Sequence, residues 1–585
     1  MIERGDASRE IPPFDRTFFE SGEAFTRIGG GSIGGKAHGL VFIRDILEGD
    51  LEPGAFPSVR VNIPTLTVVG ADVFEAFMQR NGLEEIAFSD APDERIAHAF
   101  QRADLPTEVL GDLKALIDQV HSPLAVRSSS RLEDALFRPF AGVYATKMTP
   151  NNQPDPALRF RRLVEAIKFV YASTFFKAAR SYIRSTDEDP RQERMAVIIQ
   201  EVVGARHGDR YYPDVSGVCR SYNFYPLGRT RPEDGVVDLA LGLGKTIVDG
   251  GVTWCYSPAR PQAPPPFGSV KELMKNTQTK FWAVNMGRPR EVDPTAEEEY
   301  LVQADLAAAE YDGTLPHVAS TYDAASDRLV LGTAGRGPRA INFAPLLELK
   351  RYPLNDIIRR MLSACERALD GPVEIEFALT FPHPGGADTA RVGFLQVRPM
   401  VVSEERVEIT EQELRRPDLV TASRRVMGNG VNRSVCDVVY VKPESFDASL
   451  TPRIAAQLEQ FNTPLLAEGR PYLLIGFGRW GSSDPWLGIP AKWGQICGAR
   501  VIIEATLPNM IVELSQGSHF FHNISSFQVS YFSVDHQRGP GIDWAWLDAR
   551  PRVAETDLVR HVRLEEPLLV KVDGRTGRGA VWQRA

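Results

Sequence analysis

The sequence predicts a mixed α/β (α+β) protein with more than one domain, and three observations predict it. At 585 residues the chain is too long for a single hydrophobic core. Short apolar, β-branched runs such as residues 195–203 and 372–378 recur along it, separated by stretches such as 157–183 with helical periodicity. Two glycine-rich segments, 29–35 and 242–251, each stand beside a stretch that reads as regular structure.

Composition narrows the class. Hydrophobic residues at 43% and charged residues at 24% are ordinary for a globular protein. A formal charge of -9 over this length argues against a general nucleic-acid binder while permitting a local basic pocket. No apolar run is long enough to span a bilayer, and MIERGDASREIPPF lacks a signal-peptide core, so a cytoplasmic protein is expected. Five cysteines occur singly, with no CxxC spacing, which fits a reduced compartment without a disulfide framework or zinc site.

In chain order, residues 1–15 are polar and proline-bearing and predict a loose arm. TRIGGGSIGGKAHGL follows and leads into the helix-like VFIRDIL; glycine amides and the Lys36 ammonium at a helix start suit a phosphate. The spacing Gly30-x4-Gly35-Lys36 imitates a P-loop, but Ala37 stands where that loop needs Ser or Thr, and no hydrophobic strand is read before it. A looser glycine–lysine phosphate contact is therefore expected. Residues 58–69 read as one strand, 71–80 as a helix and 93–120 as helical.

The stretch 124–146, LAVRSSSRLEDALFRPFAGVYAT, opens as an apolar strand and is read to turn abruptly at Arg127-Ser128-Ser129-Ser130-Arg131. An arginine at a strand end presents a planar fork to phosphate oxygens, and the hydroxyls beside it can donate to the same anion or cap a helix. Taken alone, the segment reads better as a cap with a surface ion pair, and it is the company elsewhere in the chain that favours the phosphate reading. Residues 156–183 predict a long amphipathic helix.

Strands follow at 195–203 and 215–222; the first ends in Gln200 and Glu201, which suits either an adenine edge or an ordinary sheet edge. In VVDLALGLGKTIVDGG, Leu239 occupies the position of the glycine that a P-loop requires, leaving a strand and a tight glycine turn. PVEIEFA and GFLQVRP predict adjacent antiparallel strands. Period-two alternation places Glu374 with Glu376 and Gln396 with Arg398 on shared faces. Such a set suits a magnesium–phosphate complex or a paired salt bridge.

The elements GGKAHGL, AVRSSSRLEDALFRPFAGVY, VIIQEVV, SGVCRS, LALGLGKTIVDGG, VEIEFAL and FLQVRP, in this order over residues 16–402, resemble the N-terminal ATP-binding region of the pyruvate phosphate dikinase and phosphoenolpyruvate synthase family. The resemblance implies an ATP-grasp-like domain of two subdomains enclosing the nucleotide. It implies Lys36 and Arg127 on ATP phosphates, Gln200, Glu201 and Val203 at the adenine, and Gly242, Gly244 and Gly250 lining the cleft. Glu376 and Gln396 are implied as magnesium ligands and Arg398 as the contact of the transferred phosphate. The chain after Arg398 is shorter than the roughly 250-residue TIM barrel that completes such enzymes, and the full signature of their swivelling phosphohistidine domain is not seen. This chain alone is expected not to interconvert pyruvate and phosphoenolpyruvate.

Residues 403–423 read as a charged linker and 424–585 as a smaller α/β domain. In it, RPYLLIGFGRWGSSDPWLGIP is a strand breaking into a loop around Arg479-Trp480-Gly481, either a ligand or partner contact or a loop packing on the ATP domain. In SQGSHFFHNI, His519 is a candidate phosphoryl carrier. Alternatively His519 and His522 serve as base and substrate contact, as metal ligands, or as plain structural histidines. LLVKVDGRTGRGAVW predicts a hairpin.

The expected function is an ATP- and magnesium-dependent phosphotransferase of the dikinase type acting on a small-molecule acceptor, with neither nucleic acid nor membrane as partner. An ATP-driven ligase, or a nucleotide-binding subunit completed by a partner chain or second copy, stays open.

Overall fold

The computed structural model describes residues 11–16, 25–50, 54–130, 133, 143–184, 189–224, 226, 230–263, 269–288, 291–349, 351–383, 389–400, 402, 407–482, 484–508, 510, 524, 529–536 and 540–584. It is mixed α/β, as predicted. Among the described residues no helix is long and apolar enough to cross a membrane.

Two sheets frame the N-terminal two-thirds. The first has five strands in the order Phe25–Ile28, Leu66–Val69, Met195–Glu201, Leu124–Ser130 and Thr146–Thr149. The second has six, in the order Trp254–Tyr256, Val236–Ala240, Val215–Arg220, Val373–Thr380, Ala390–Pro399 and Val59–Asn62. The helix Gly34–Asp50 packs on both Leu124–Ser130 and Ala390–Pro399, bridging the sheets.

Alternation along Met195–Glu201 divides its side chains between two cores. Val197 and Ile199 enter a cluster with Phe77, Phe100 and Tyr171 of the flanking helices, whereas Ala196 and Ile198 enter the cluster built on the second sheet. Because Arg127 pairs with Ile198 and Ala125 with Gln200, Arg127 and Gln200 lie on the face turned toward the second sheet.

The C-terminal part holds a seven-stranded sheet. Its four middle strands, Ser530–Val534, Ala499–Ala505, Tyr472–Phe477 and Asp437–Val441, run parallel. The helix Thr451–Ala467 forms the crossover between the last two. Apolar residues of this sheet belong to the same buried cluster as Val197 and Phe77, so the C-terminal core is continuous with that of the first sheet.

Several sequence expectations are corrected. Residues 11–16 are no loose arm where described: Ile11 is buried and Pro13 bridges Arg27. A strand, Phe25–Ile28, does precede the first glycine turn. The single strand read over 58–69 is two strands in different sheets, because Pro64 cannot donate to a ladder. Helicity over 93–120 breaks at Leu105-Pro106, as the residue before proline avoids helical dihedrals. The long helix over 156–183 ends at Ser173 and resumes at Lys177, because Phe175 turns into the aromatic cluster of Phe74, Phe88 and Phe100 while Asp93 accepts the Lys177 N–H at 2.7 Å.

The turn read at Arg127 is instead strand through Ser130, with Ser128, Ser129 and Ser130 all buried. The segment read as linker ends in a strand, Leu419–Ser423, paired with the last strand, Arg578–Trp582. His519 and His522 lie outside the described residues. The hairpin Leu569–Asp573 and Arg578–Trp582 forms as predicted.

The C-terminal sheet is pinned at one end by Asp437, whose buried carboxylate accepts from Arg470 at 2.7 Å, Arg563 at 2.8 Å and His561 at 2.8 Å. Burial pulls its pKa up, but the three donors outweigh it and hold it down at about 2. The stability it contributes is present above the unfolded value near 3.8 and lost as pH falls through about 2. Asp437→Asn should cost about 3 kcal/mol at pH 7 by denaturant unfolding, and the gap to the parent should narrow as pH drops from about 4 to 2. An unchanged gap over that window would show that Asp437 is not the titrating group.

Candidate active site

The edge where the two sheets meet collects the charges. The strands Val373–Thr380 and Ala390–Pro399 are antiparallel, with Glu374 opposite Arg398 and Glu376 opposite Gln396. Between Glu376 and Phe377 the register slips, so Leu395 is bulged out. A bulge frees a carbonyl from the ladder and re-aims it; the Leu395 carbonyl accepts from Arg127 Nη1 at 3.1 Å. Arg127 also donates to Gln200 Oε1 at 3.2 Å and, through Nη2, to Gln396 Oε1 at 2.7 Å. It stands 3.9 Å from Glu376. One guanidinium thus ties the first sheet to the second.

Arg398 is 2% exposed and lies 3.5 Å from Glu374 and 3.4 Å from Glu376. Glu374 also accepts from Arg220 Nε at 2.7 Å, and Arg220 Nη1 reaches Asp238 at 3.0 Å. The result is a ladder of alternating charge across four strands. Burial pushes the Asp238 carboxyl up, opposed by Arg220. Arg220 and Asp238 were missed in the sequence reading; the available signal was a charge on the shared face of each otherwise apolar strand, VSGVCRS and VVDLA. The bulge at Leu395 left no signal.

Lys36 sits apart from this edge. At 7% exposure its ammonium donates to Glu133 Oε1 at 2.6 Å and Ser128 Oγ at 3.1 Å. Gly34 and Gly35 permit this, since a Cβ on either would lie 1.9 Å from the Ser129 carbonyl oxygen or 1.7 Å from that of Glu133. The Ala37 N–H is taken by Ser129 Oγ at 3.1 Å. The glycine–lysine turn is therefore packed onto the serine strand, and Lys36 is one position removed from Arg127 through Ser128.

Gln200 gives its carbonyl to Arg127, and its buried amide nitrogen has no hydrogen-bond partner among the described residues. Glu201 turns aside to accept from Ser122 Oγ at 2.6 Å. Val203 packs against Gly393, where a Cβ would come within 2.4 Å of its methyl. In the second glycine turn, Gly242 has φ +82°, and a side chain there would strike the Trp282 carbonyl. Its own carbonyl accepts from Ser216 Oγ at 2.7 Å. Gly244 has ordinary room and opens the short helix Lys245–Val248; Gly250, at φ +70°, closes the turn.

The structure thus brings together Arg127, Gln200, Glu376, Gln396 and Arg398, while Glu201 faces away. Glu376 and Gln396 are directly opposed oxygen donors on neighbouring strands, the donor type a hard divalent ion takes; here Gln396 Oε1 accepts from Arg127 and Glu376 faces Arg127 and Arg398.

A family model described as "Pyruvate phosphate dikinase, AMP/ATP-binding domain" matches residues 31–417. Phosphoenolpyruvate synthase of Aeropyrum pernix is 28% identical over 243 residues, 38% of this chain and 26% of that protein. Rifampicin phosphotransferase of Streptomyces sviceus is 30% identical over 199 residues, 33% of this chain and 19% of that one. The chain therefore spans about a quarter or less of the length of these relatives.

The Lys36–Glu133 pair yields a direct test of the site's wiring. Lys36→Met should lower unfolding stability by about 3 kcal/mol, because Glu133 is left buried and uncompensated, and Lys36→Met with Glu133→Leu should recover much of it. Denaturant titration of the single and double variants measures this; equal losses in both would mean that the ion pair is not the source.

Proposed function

The chain belongs to the pyruvate phosphate dikinase AMP/ATP-binding domain family, and we propose from that premise that it is an ATP- and magnesium-dependent phosphotransferase of the dikinase type, acting on a small-molecule acceptor. The observation that carries the reading is the convergence of Arg127, Glu376, Gln396 and Arg398 at one edge between two sheets. Phosphoryl transfer depends on positioning and on neutralising phosphate charge more than on covalent chemistry.

In this reading residues 16–402 bind the nucleotide and 424–585 serve the acceptor. Arg127 offers its fork to phosphate oxygens while keeping its hold on Leu395. Arg398, set in the ladder beside Glu374 and Glu376, faces the phosphoryl group in transfer. The Gln200 amide nitrogen, without a hydrogen-bond partner among the described residues, and the apolar wall at Val203 suit the adenine, and Gly242, Gly244 and Gly250 line the cleft. Glu376 and Gln396 would hold magnesium, which when bound offsets the charge of the bridging phosphates. Lys36 reaches a phosphate only by sharing its ammonium with Glu133. The acceptor is a small molecule, as the names of the two relatives suggest for those proteins.

Phosphorus NMR of the chain with magnesium ATP and a metabolite pool tests the reading. AMP with a new phosphoester is the expected outcome. ADP with a new phosphoester or amide would replace it with a kinase or a ligase, and bound but unchanged ATP with a subunit needing a partner. Arg398→Lys should lower turnover about 100-fold or more while nucleotide binding persists. Full turnover in that variant would remove Arg398 from the transfer step.

A further inference from the structure

Arg479 lies just beyond the carboxyl end of the Tyr472–Phe477 strand, the edge at which open parallel sheets present their ligand contacts. Its backbone is fixed on all sides. The N–H donates to the Leu487 carbonyl at 2.9 Å, and Arg479–Trp480 pairs in parallel with Gly488–Ile489. The approach is so close that a Cβ on Gly488 would stand 2.0 Å from the Arg479 carbonyl oxygen. Trp480 is wholly buried and donates its indole N–H to the Ile503 carbonyl at 3.2 Å. The loop is a rigid mount.

What it mounts is a guanidinium, 6% exposed, that donates to the Gly250 carbonyl at 3.3 Å across 229 residues of sequence. Gly250 closes the second glycine turn: its N–H donates to Ile247 at 3.1 Å, and the Gly251 N–H to Thr246 at 2.8 Å. These bonds occupy the Thr246 and Ile247 carbonyls at the end of the short helix Lys245–Val248, and the Gly250 carbonyl just beyond it is the one Arg479 meets. A guanidinium on a backbone carbonyl makes a charge-assisted hydrogen bond, stronger than one from a neutral donor. The same two parts of the chain touch again where Gly494 packs on the Ala178 backbone and Lys177 pairs with Glu459 at 2.7 Å. That ion pair is largely exposed on the Lys177 side and contributes little. A charge-assisted bond inside a buried contact contributes more.

We propose that Arg479 is a positioning residue of the nucleotide site: through the Gly250 carbonyl, the C-terminal domain holds the Gly242–Gly251 turn in its binding shape and so sets nucleotide affinity. The inference rests on the nucleotide reading of the preceding subsection. It assigns to the Arg479-Trp480-Gly481 loop the support of the ATP-binding turn in place of an acceptor contact.

The test uses the full chain and its Arg479→Met and Arg479→Lys variants, with the magnesium complex of a non-hydrolysable ATP analogue as probe. Titration calorimetry should show Arg479→Met binding about tenfold more weakly, with Arg479→Lys in between. Amide hydrogen exchange across 242–251 should quicken in Arg479→Met and stay at the parent rate in the helices around Phe77 and Phe100. Parent-like affinity and exchange in Arg479→Met overturn the proposal. So does general quickening over the whole chain, which marks a structural role alone. Should Arg479→Met fail to fold, Arg479→Lys carries the same comparison, since it keeps the charge and loses the fork. A parent chain that binds no analogue sinks the nucleotide reading instead, and the exchange comparison then still decides whether Arg479 holds the turn.

Discussion

Beside the bridging helix and the shared apolar core, one guanidinium fixes how the two N-terminal sheets meet at the edge that collects the charges. Arg127 sits in the serine strand, where Ser128 and Ser130 engage Glu133 and Ser129 donates to the Ile33 carbonyl, and strand alternation turns its fork toward Gln200 and the second sheet. There it meets a backbone carbonyl that only a bulge could expose, and an amide oxygen directly opposite a carboxylate. Remove that bulge, and Leu395 returns its carbonyl to the ladder. The strand would then also slip by one residue past Glu376, sending Gln396 or Arg398 to the wrong face. The bulge therefore sets both the tether and the chemistry.

The charges around it would be ruinous singly. Arg220 and Arg398 stand against Asp238, Glu374 and Glu376 on one face of neighbouring strands, and Arg127 faces Glu376 from the other sheet. Taking any one of them from water costs several kcal/mol, recovered only where partners are close and well aimed. The ladder does this by alternating sign across Asp238, Arg220, Glu374 and Arg398, so that each buried charge has an opposite on an adjacent strand. The ladder is balanced as it stands; in the proposed function a phosphate would add negative charge beside Arg127 and Arg398, and a cation beside Glu376 and Gln396 would offset it. The apolar face behind stays undisturbed.

Much of this was legible in the sequence, for reasons that show where legibility ends. Period-two spacing was enough to pair Glu374 with Glu376 and Gln396 with Arg398, because a strand leaves its side chains no other choice. Pro64 and Pro106 mark breaks that a proline-aware reading of 58–69 and 93–120 would have found. The break at Thr174 has no such mark: it exists because Phe175 finds better company among Phe74, Phe88 and Phe100 than in a continued helix. Partners distant in sequence were equally hidden. Lys36 and Glu133 are 97 residues apart and Arg479 and Gly250 are 229 apart, and nothing local in either segment specifies the other.

The first sheet is shared between two cores, and that division separates permanent contacts from adjustable ones. On one face Val126, Val197 and Ile199 merge with the C-terminal apolar cluster; on the other Phe25, Val68 and Ile198 join the core of the second sheet. Both contacts bury apolar area, at roughly 25 cal/mol for each Å² kept from water, and neither can be opened cheaply. Toward the cleft the linkages change character. Arg127 binds the second sheet by hydrogen bonds, and Arg479 binds its glycine turn from the C-terminal side by another. Charge-assisted bonds of this kind are worth roughly 1.5–3 kcal/mol each, local and directional where the apolar contacts are broad. A fold built this way is held together by its two apolar cores, while the edge between its sheets is fixed by a few directional bonds whose loss would be felt locally.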